Sequence, residues 1–142
     1  MKIRLLMLGK TRQPEMRVII EDYVKRISRA CPIEVTEVRD GKAAAKKLDV
    51  DRAATVVLLD AGGKAFDSSA LAKWLGELRD RGARELIVLC GDADGFPEEL
   101  RQRAHHKLSL SAMTFSHELA RVMLAEQLYR AFAILSGSPY PK

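Results

Sequence analysis

Three short segments of the sequence carry residue types that could bind a small ligand. They are "DAGGKAF" (60–66), "GDADGF" (91–96) and "SAMTFSH" (111–117). The first two contain glycines, which allow a backbone to approach a ligand closely. The overlapping stretch "LSLSAMTF" (108–115) offers two serines, a threonine, many backbone donors and acceptors, and no charge. Such a stretch between apolar walls is typical of a site for an adenine ring, although each segment alone could be a simple turn.

These segments do not fit the common phosphate-binding patterns. The chain has no G-x-x-x-x-G-K-[ST] motif, and "GDADGF" does not match G-x-G-x-x-G. Asp92 and Asp94 would repel phosphates and favour a neutral or cationic ligand. Together with Asp60 they could hold a metal ion, but aspartate is far commoner as a turn residue, so we expect no metal site. His105 and His106 are explained by a favourable position at a helix end.

The elements that must position these segments alternate between strands and helices. Apolar runs predict strands at 3–8, 33–38, 54–60, 85–91 and 107–110. Helical spacing and capping residues predict helices at 14–28, 67–82, 97–105 and 116–136. This alternation predicts a single α/β domain over residues 1–142, built on a parallel sheet. Ligands bind beyond the carboxyl ends of such strands, so the three segments should meet at one edge.

Composition allows several partners and demands none. The chain of 142 residues is 47% apolar and carries a net charge of +5, which permits a polyanionic partner. The segment Asp40–Ala53 reads as a loop with a short exposed helix. It carries four basic side chains, Lys42, Lys46, Lys47 and Arg52. They form either a solvated surface or a contact with RNA phosphates. Without a signal peptide, a membrane span or C-x-x-C spacing, we expect a cytoplasmic protein with Cys31 and Cys90 as buried thiols.

The predicted helix 116–136 is apolar almost all the way round. Leu119, Met123 and Ile134 fall on one side of a helical wheel, and Leu124 and Leu128 fall on the opposite side. One sheet face cannot cover both sides, so we expect a second subunit to cover the other and the protein to be a homodimer. The alternative is a monomer with one exposed apolar stripe.

Charged residues inside that helix should be paired, because an isolated buried charge is costly. Glu126 and Arg130 have the favourable i,i+4 order. Arg121 should be paired as well. It is either a cation that faces a ligand or one half of an ion pair at the subunit interface.

The C-terminal stretch "LSLSAMTFSHELARVMLAEQLYRAFAI" resembles the SPOUT (α/β-knot) RNA methyltransferases. The resemblance is closest to the branch that methylates N3 of pseudouridine in large-subunit ribosomal RNA. It extends over the whole chain through "LLDAGGKAF", "LIVLCGDADGF" and the near-terminal Tyr140. The C-terminal third is its most specific part.

The resemblance implies an α/β fold with a deep C-terminal trefoil knot and a homodimer with its active site at the subunit interface. It implies S-adenosylmethionine as methyl donor, and large-subunit ribosomal RNA or the ribosome as partner rather than DNA. Catalytic candidates are Arg121 and the tail from Tyr140 to Lys142, whose groups could stabilise a uracil anion. The family's cofactor contacts fall on Leu59, Gly91, Leu110, Ser111, Ala112, Met113, Thr114 and Phe115.

Three departures from the family pattern bear on function. Asp92 stands where the family usually has a second glycine, and the segment between the second and third strands is shorter than usual. Pro141 occupies the position of a histidine in the tail. An alternative function is therefore a non-catalytic RNA- or ribosome-binding relative that has kept the knot and lost turnover. A flavodoxin-like regulatory module would leave the long apolar helix unexplained.

Overall fold

The computed structural model describes residues 1–50 and 52–140, and within them five strands alternate with five helices. The strands are β1 (Lys2–Leu8), β2 (Ile33–Val38), β3 (Thr55–Ala65), β4 (Glu85–Cys90) and β5 (His106–Ser109). The helices are α1 (Pro14–Ile27), α2 (Gly41–Val50), α3 (Ser68–Asp80), α4 (Glu98–Arg103) and α5 (His117–Ser136).

The strands form one parallel sheet in the order β2-β1-β4-β3-β5. Helices α1, α3 and α5 cover one face, where their apolar side chains join the first core cluster. Helices α2 and α4 cover the other face and contribute to the second cluster. The predicted single-domain α/β architecture with a parallel sheet is confirmed.

Helix α2 corrects the interpretation of residues 40–53. It is not a loop with a short exposed helix, because Ala44, Ala45 and Leu48 are buried against the sheet. Alanines give little hydrophobic contrast in a sequence, yet their small side chains let a helix pack closely. The helix begins where the Asp40 carboxylate accepts a hydrogen bond from the Ala43 amide at 3.0 Å. Its lysines remain on the exposed side.

Strand β3 continues past Asp60, where the sequence predicts it to end. Pairing with β5 breaks after Leu59 and resumes where Lys64 lies opposite Leu108. Between these points the chain passes so close to β5 that a Cβ atom on Gly63 would lie 2.6 Å from the Lys107 carbonyl oxygen. Only glycine permits this approach.

Helix α5 lies between α1 and α3 and has two different apolar sides. Its inner side, with Leu124 and Leu128, is buried against the sheet. On its outer side the exposed fractions of Leu119 and Ile134 are 39% and 45%. The sequence placed these residues on the correct sides. Within the described residues, no helix is long and apolar enough to cross a membrane.

Candidate functional site

The three predicted segments meet in one cleft, beyond the carboxyl ends of β4 and β5 and beside the part of β3 where its pairing with β5 breaks. Seven of the eight residues predicted to contact a cofactor line it: Leu59, Gly91, Leu110, Ser111, Met113, Thr114 and Phe115. The eighth, Ala112, is exposed and does not line the cleft. The cleft therefore has the position and the uncharged wall that the sequence predicts, while contact with a cofactor stays a prediction.

Serine hydroxyls fix the shape of the loop from Leu110 to Phe115. The buried Ser109 hydroxyl lies 3.0 Å from the Ala61 carbonyl oxygen and 2.9 Å from the Ser111 carbonyl oxygen. The Ser111 hydroxyl in turn accepts a hydrogen bond from the Met113 amide at 3.0 Å. The loop is thereby tied to the segment that follows Leu59, so two walls of the cleft are connected.

Asp92 fits the turn in which it replaces a glycine. The Asp92 carboxylate accepts a hydrogen bond from the Asp94 amide at 2.9 Å, as aspartate commonly does in turns. The positive φ that this turn needs falls on Gly95, at 78°, and no residue other than glycine has a positive φ in the described chain. The Gly91-Asp92 pair therefore requires no backbone strain.

A salt bridge that the sequence did not predict forms part of the cleft. Arg101 on α4 donates to the Asp60 carboxylate at 2.8 Å, and the Gly62 amide donates to the other oxygen at 3.1 Å. The hydrogen bond from Arg101 lowers the pKa of Asp60, so this carboxylate is ionised at neutral pH. Asp60 is thus engaged by an arginine, and residues 1–50 and 52–140 contain no cluster of three potential metal ligands.

Arg121 lies beneath the cleft, in the core, and is fully buried. Its guanidinium donates to the Leu8 carbonyl at 2.6 Å, the Gly9 carbonyl at 3.1 Å and the Thr11 hydroxyl at 3.0 Å. These partners are neutral groups of its own chain, and none of them forms the ion pair that was one of the two predictions for Arg121. Arg121 does not line the cleft, and it holds the loop after β1 in place.

A second residue of α5 holds the same loop. One carboxylate oxygen of the buried Glu118 accepts hydrogen bonds from the Arg12 and Gln13 amides, both at 2.9 Å. The Ser116 hydroxyl caps the helix by accepting from the Leu119 amide at 3.3 Å, as predicted. The first turns of α5 therefore connect the cleft loop on one side with the β1 loop on the other.

Comparison with known proteins identifies the family. Residues 1–141 match the family model described as "Predicted SPOUT methyltransferase". The chain belongs to the SPOUT methyltransferase family. Two relatives named "Ribosomal RNA large subunit methyltransferase H" are each 41% identical to this SPOUT methyltransferase. The protein from Pelobacter propionicus matches over 99% of both chains, and that from Koribacter versatilis over 99% of this chain and 97% of its own.

Solved structures share the SPOUT fold at much lower identity. The SpoU methyltransferase AviRb from Streptomyces viridochromogenes, in complex with the cofactor AdoMet, superimposes with a TM-score of 0.56 at 13% identity. The match covers 96% of this chain and 59% of AviRb, so the SPOUT chain spans about three fifths of that structure. A crystal structure titled as a hypothetical protein gives a TM-score of 0.60 at 12% identity, over 94% and 80% of the two chains. At these identities the likeness shows the fold alone.

In this SPOUT methyltransferase, Tyr140 lies against α1 and α5 and does not line the cleft of its own chain. Its hydroxyl is 3.2 Å from the Tyr23 hydroxyl, its ring centroid is 4.6 Å from that of Tyr129, and the Arg130 guanidinium lies 4.8 Å from its ring. Burial, followed by hydrogen bonds with Tyr23 and Glu126, raises the pKa of Tyr140. The phenol is therefore protonated at neutral pH. The predictions for Pro141 and Lys142 fall outside the described residues.

The predicted pair of Glu126 and Arg130 is confirmed, with a donor–acceptor distance of 2.8 Å. The cleft also contains residues outside the three predicted segments, among them Cys90, Arg101 and Ala120. Burial raises the pKa of Cys90 to about 12, so it is a neutral thiol in the wall rather than a nucleophile. Both cysteines are buried and free, as predicted.

Proposed function

We propose that this SPOUT methyltransferase transfers a methyl group from S-adenosylmethionine to N3 of a pseudouridine in large-subunit ribosomal RNA, in the cytoplasm. The observation that carries the proposal is the convergence of the loop from Leu110 to Phe115, Gly91 and Leu59 in one cleft. The relatives named for large-subunit ribosomal RNA, at about 40% identity over the full chain, support the substrate.

The residues of the cleft suit this methyl donor. Leu59, Leu110 and Phe115 offer apolar walls for a purine, and the uncharged loop offers backbone groups for its edge. Asp92 is among the residues that line the cleft, and its negative charge favours a cationic ligand. The cleft holds about 180 Å³, which is smaller than the roughly 300–1,000 Å³ of typical ligand pockets. We therefore expect the exposed side of the loop, at Met113, to move outward on binding.

The reaction needs few protein groups. S-adenosylmethionine supplies a methyl group that its sulfonium already activates. The protein must align the pseudouridine nitrogen with that methyl group, which is catalysis by proximity. As the N–C bond forms and the C–S bond breaks, the nitrogen loses its proton to solvent water and S-adenosylhomocysteine leaves. The neutral Tyr140 hydroxyl can donate a hydrogen bond to a uracil oxygen as negative charge develops. Arg121 acts at a distance as a positioning residue for the β1 loop.

Binding of the donor tests the proposal directly. We expect calorimetry to detect S-adenosylmethionine and S-adenosylhomocysteine, and saturation at 100 times the dissociation constant to add about 2.7 kcal/mol of stability. Gly91→Val should abolish binding because a Cβ at this position would lie 3.4 Å from the Gly95 backbone, so the larger valine side chain would displace the turn that lines the cleft. Ala30→Val, in an exposed turn, should leave binding unchanged. No heat and no melting shift at millimolar ligand would contradict the proposal.

We also propose a homodimer that completes the active site. Leu119 and Ile134 expose apolar surface on the outer side of α5, which a second copy would bury. Tyr140 lies on the α1–α5 side, away from the residues that line the cleft of its own chain. A partner chain that packs on α5 would bring its own Tyr140 towards that cleft.

The dimer is best tested on the exposed side of α5. Leu128 is unsuitable because it is buried within the chain, so Leu128→Asp would test folding rather than assembly. We expect the double variant Leu119→Glu, Ile134→Glu to sediment as a folded monomer in analytical ultracentrifugation. Val50→Glu should remain dimeric, because Val50 is 87% exposed on α2 at the other face of the sheet. A monomeric wild type at micromolar concentration would refute the dimer.

The C-terminal trefoil knot is part of the same proposal. It is supported by the irregular pairing of β3 with β5, in which Leu59 and Lys64 both lie opposite Leu108, and by the close approach of Gly63 to the Lys107 backbone. After β5 the chain returns to place α5 between α1 and α3. Knots are otherwise essentially absent from protein folds, so this crossing is an uncommon feature.

Pro141 favours one alternative function, a non-catalytic ribosome-binding relative. Proline cannot accept a proton as a histidine would, and it lacks an amide donor. Under this alternative the protein would bind S-adenosylmethionine and ribosomes without transferring methyl groups. Mass spectrometry of ribosomal RNA from cells with and without the protein separates the two functions.

A further inference from the structure

A second groove lies on the α3 side of the sheet, along β3 and β5. It holds about 380 Å³, which falls within the usual range of ligand sites. Three rings and three lysines line it: Phe66, Trp74, His106, Lys64, Lys73 and Lys107. The proposed methyl transfer uses none of these side chains.

The rings form a preassembled aromatic wall. The Phe66 and Trp74 rings are stacked with centroids 5.8 Å apart, and the His106 ring meets Trp74 edge-on at 5.4 Å. The Lys64 ammonium lies 5.0 Å from the Phe66 ring centroid. Burial, followed by repulsion from His105, lowers the pKa of His106, so its ring is neutral at pH 7. The wall thus offers neutral aromatic surface beside a cation.

The groove has a positive balance of charge. Lys64, Lys73 and Lys107 are exposed, and none forms a salt bridge with another described residue. Glu77 is the one carboxylate among the residues that line the groove within the described chain. Three lysines against one glutamate favour an anionic partner, and lysine is a common contact for phosphate.

The groove and the cofactor cleft share strand β5. His106 and Lys107 line the groove, and Leu110 lines the cleft. At 3.3 Å per residue, Lys107 and Leu110 are about 10 Å apart along the chain direction. An RNA strand with one nucleotide at the cleft can therefore place a neighbouring nucleotide in the groove.

We propose that this groove binds an unpaired nucleotide beside the target pseudouridine, with its base against Trp74 and its flanking phosphates at Lys64 and Lys107. Bases of any identity stack on aromatic side chains, while lysines follow the backbone. The groove therefore holds single-stranded RNA with little sequence preference. This inference rests on the proposed function for the identity of the RNA.

Trp74 is the only tryptophan of the chain, so its fluorescence reports on this groove alone. Titration with a short single-stranded oligoribonucleotide should quench it. Lys64→Gln with Lys107→Gln should weaken binding about tenfold and reduce the slope of log K against log salt by about 1.4, since each lost contact removes about 0.7. The matched pair Lys25→Gln with Arg29→Gln, exposed at the end of α1 and in the turn that follows it, should change neither. No quenching, or equal effects of the two pairs, overturns the inference.

A methyl-transfer assay on ribosomes that lack the modification adds a second readout. Trp74→Ala, and independently the Lys64 and Lys107 pair, should raise KM for the ribosome about tenfold with kcat and donor binding unchanged. Trp74→Phe should retain most of the affinity.

If the wild type methylates and both variants keep its KM, the groove inference fails while the proposed function stands. If the wild type does not bind the donor, the proposed function fails while the quenching experiment still decides the groove. Weaker ribosome binding without quenching by RNA would show a protein occupant and overturn the inference.

Discussion

Replacing Tyr140 with alanine is expected to lower kcat for methyl transfer by about 100-fold, while donor binding measured by calorimetry stays unchanged. A misplaced group near the reacting atoms can cost a factor of this size. Tyr140 is held by its contacts with Tyr23, Tyr129 and Arg130, so the alanine variant removes the ring on which the position of the tail depends. The measurement is single-turnover methylation of ribosomes that lack the modification.

Two further variants separate the hydroxyl from the ring. Tyr140→Phe keeps the contact with Tyr129 and removes the donor, so we expect an intermediate loss. Pro141→His should give a modest gain at most if the tyrosine dominates. If the wild type shows no methyl transfer and Pro141→His restores it, the imidazole is essential. If the wild type shows no methyl transfer and Pro141→His does not restore it, the non-catalytic alternative is favoured.

Mixing inactive dimers tests whether the site is shared between subunits. Tyr140→Ala lacks the tail group, and Gly91→Val lacks a usable cleft. If each site combines the cleft of one chain with the tail of its partner, a mixed dimer contains one intact site. It should then regain up to half of the activity of a wild-type dimer, which has two intact sites. Sites built within one chain would stay inactive in every mixture, because each chain carries a defect.

Arg121→Met is expected to reduce the free energy of unfolding by at least about 3 kcal/mol. Methionine fills much of the space but leaves the Leu8 and Gly9 carbonyls and the Thr11 hydroxyl without their donor, at roughly 1–3 kcal/mol for each unsatisfied buried group. Urea denaturation followed by circular dichroism gives the measurement. Arg121→Lys should recover only part of the loss, because one ammonium cannot reproduce the planar fork of donors.

Arg79→Gln is the matched control for Arg121. Arg79 lies on α3 and pairs with the neighbouring Asp80, in an exposed ion pair that contributes little to stability. We expect its effect to stay within about 0.5 kcal/mol. Equal stability of the Arg121→Met protein and the wild type would show that the buried guanidinium does not hold the loop.

The sequence predicted most strands and helices because their apolar patterns are long and regular. The prediction was wrong at α2, where the alanines pack closely against the sheet. Alanine differs less in hydrophobicity from the surrounding lysines than leucine or isoleucine would, so the apolar side of the helix is hard to recognise in the sequence. It also ended β3 at Asp60, since "DAGG" is typical of a turn. In the structure, pairing with β5 extends the strand to Ala65. The requirement for glycine at position 63 is apparent only from its close approach to the Lys107 backbone.

The cleft could be placed from sequence because parallel strands deliver their following loops to one edge. The salt bridge in the cleft could not be predicted in this way. Arg101 on α4 reaches Asp60 on β3, and no sequence spacing connects the two residues. Arg121 shows the same limit. A buried arginine predicts partners, but nothing in a helical wheel indicates backbone carbonyls more than a hundred residues away.

The position of α5 between α1 and α3 has a consequence for how the chain folds. Strand β1 pairs with β4 as well as with β2, so that Lys2 lies opposite Glu85, and α5 then covers the face that α1 and α3 share. Such long-range pairing slows folding relative to helical proteins, whose contacts are mostly local. A nascent chain without α5 exposes this apolar face. Incomplete chains should therefore depend on chaperones and aggregate without them.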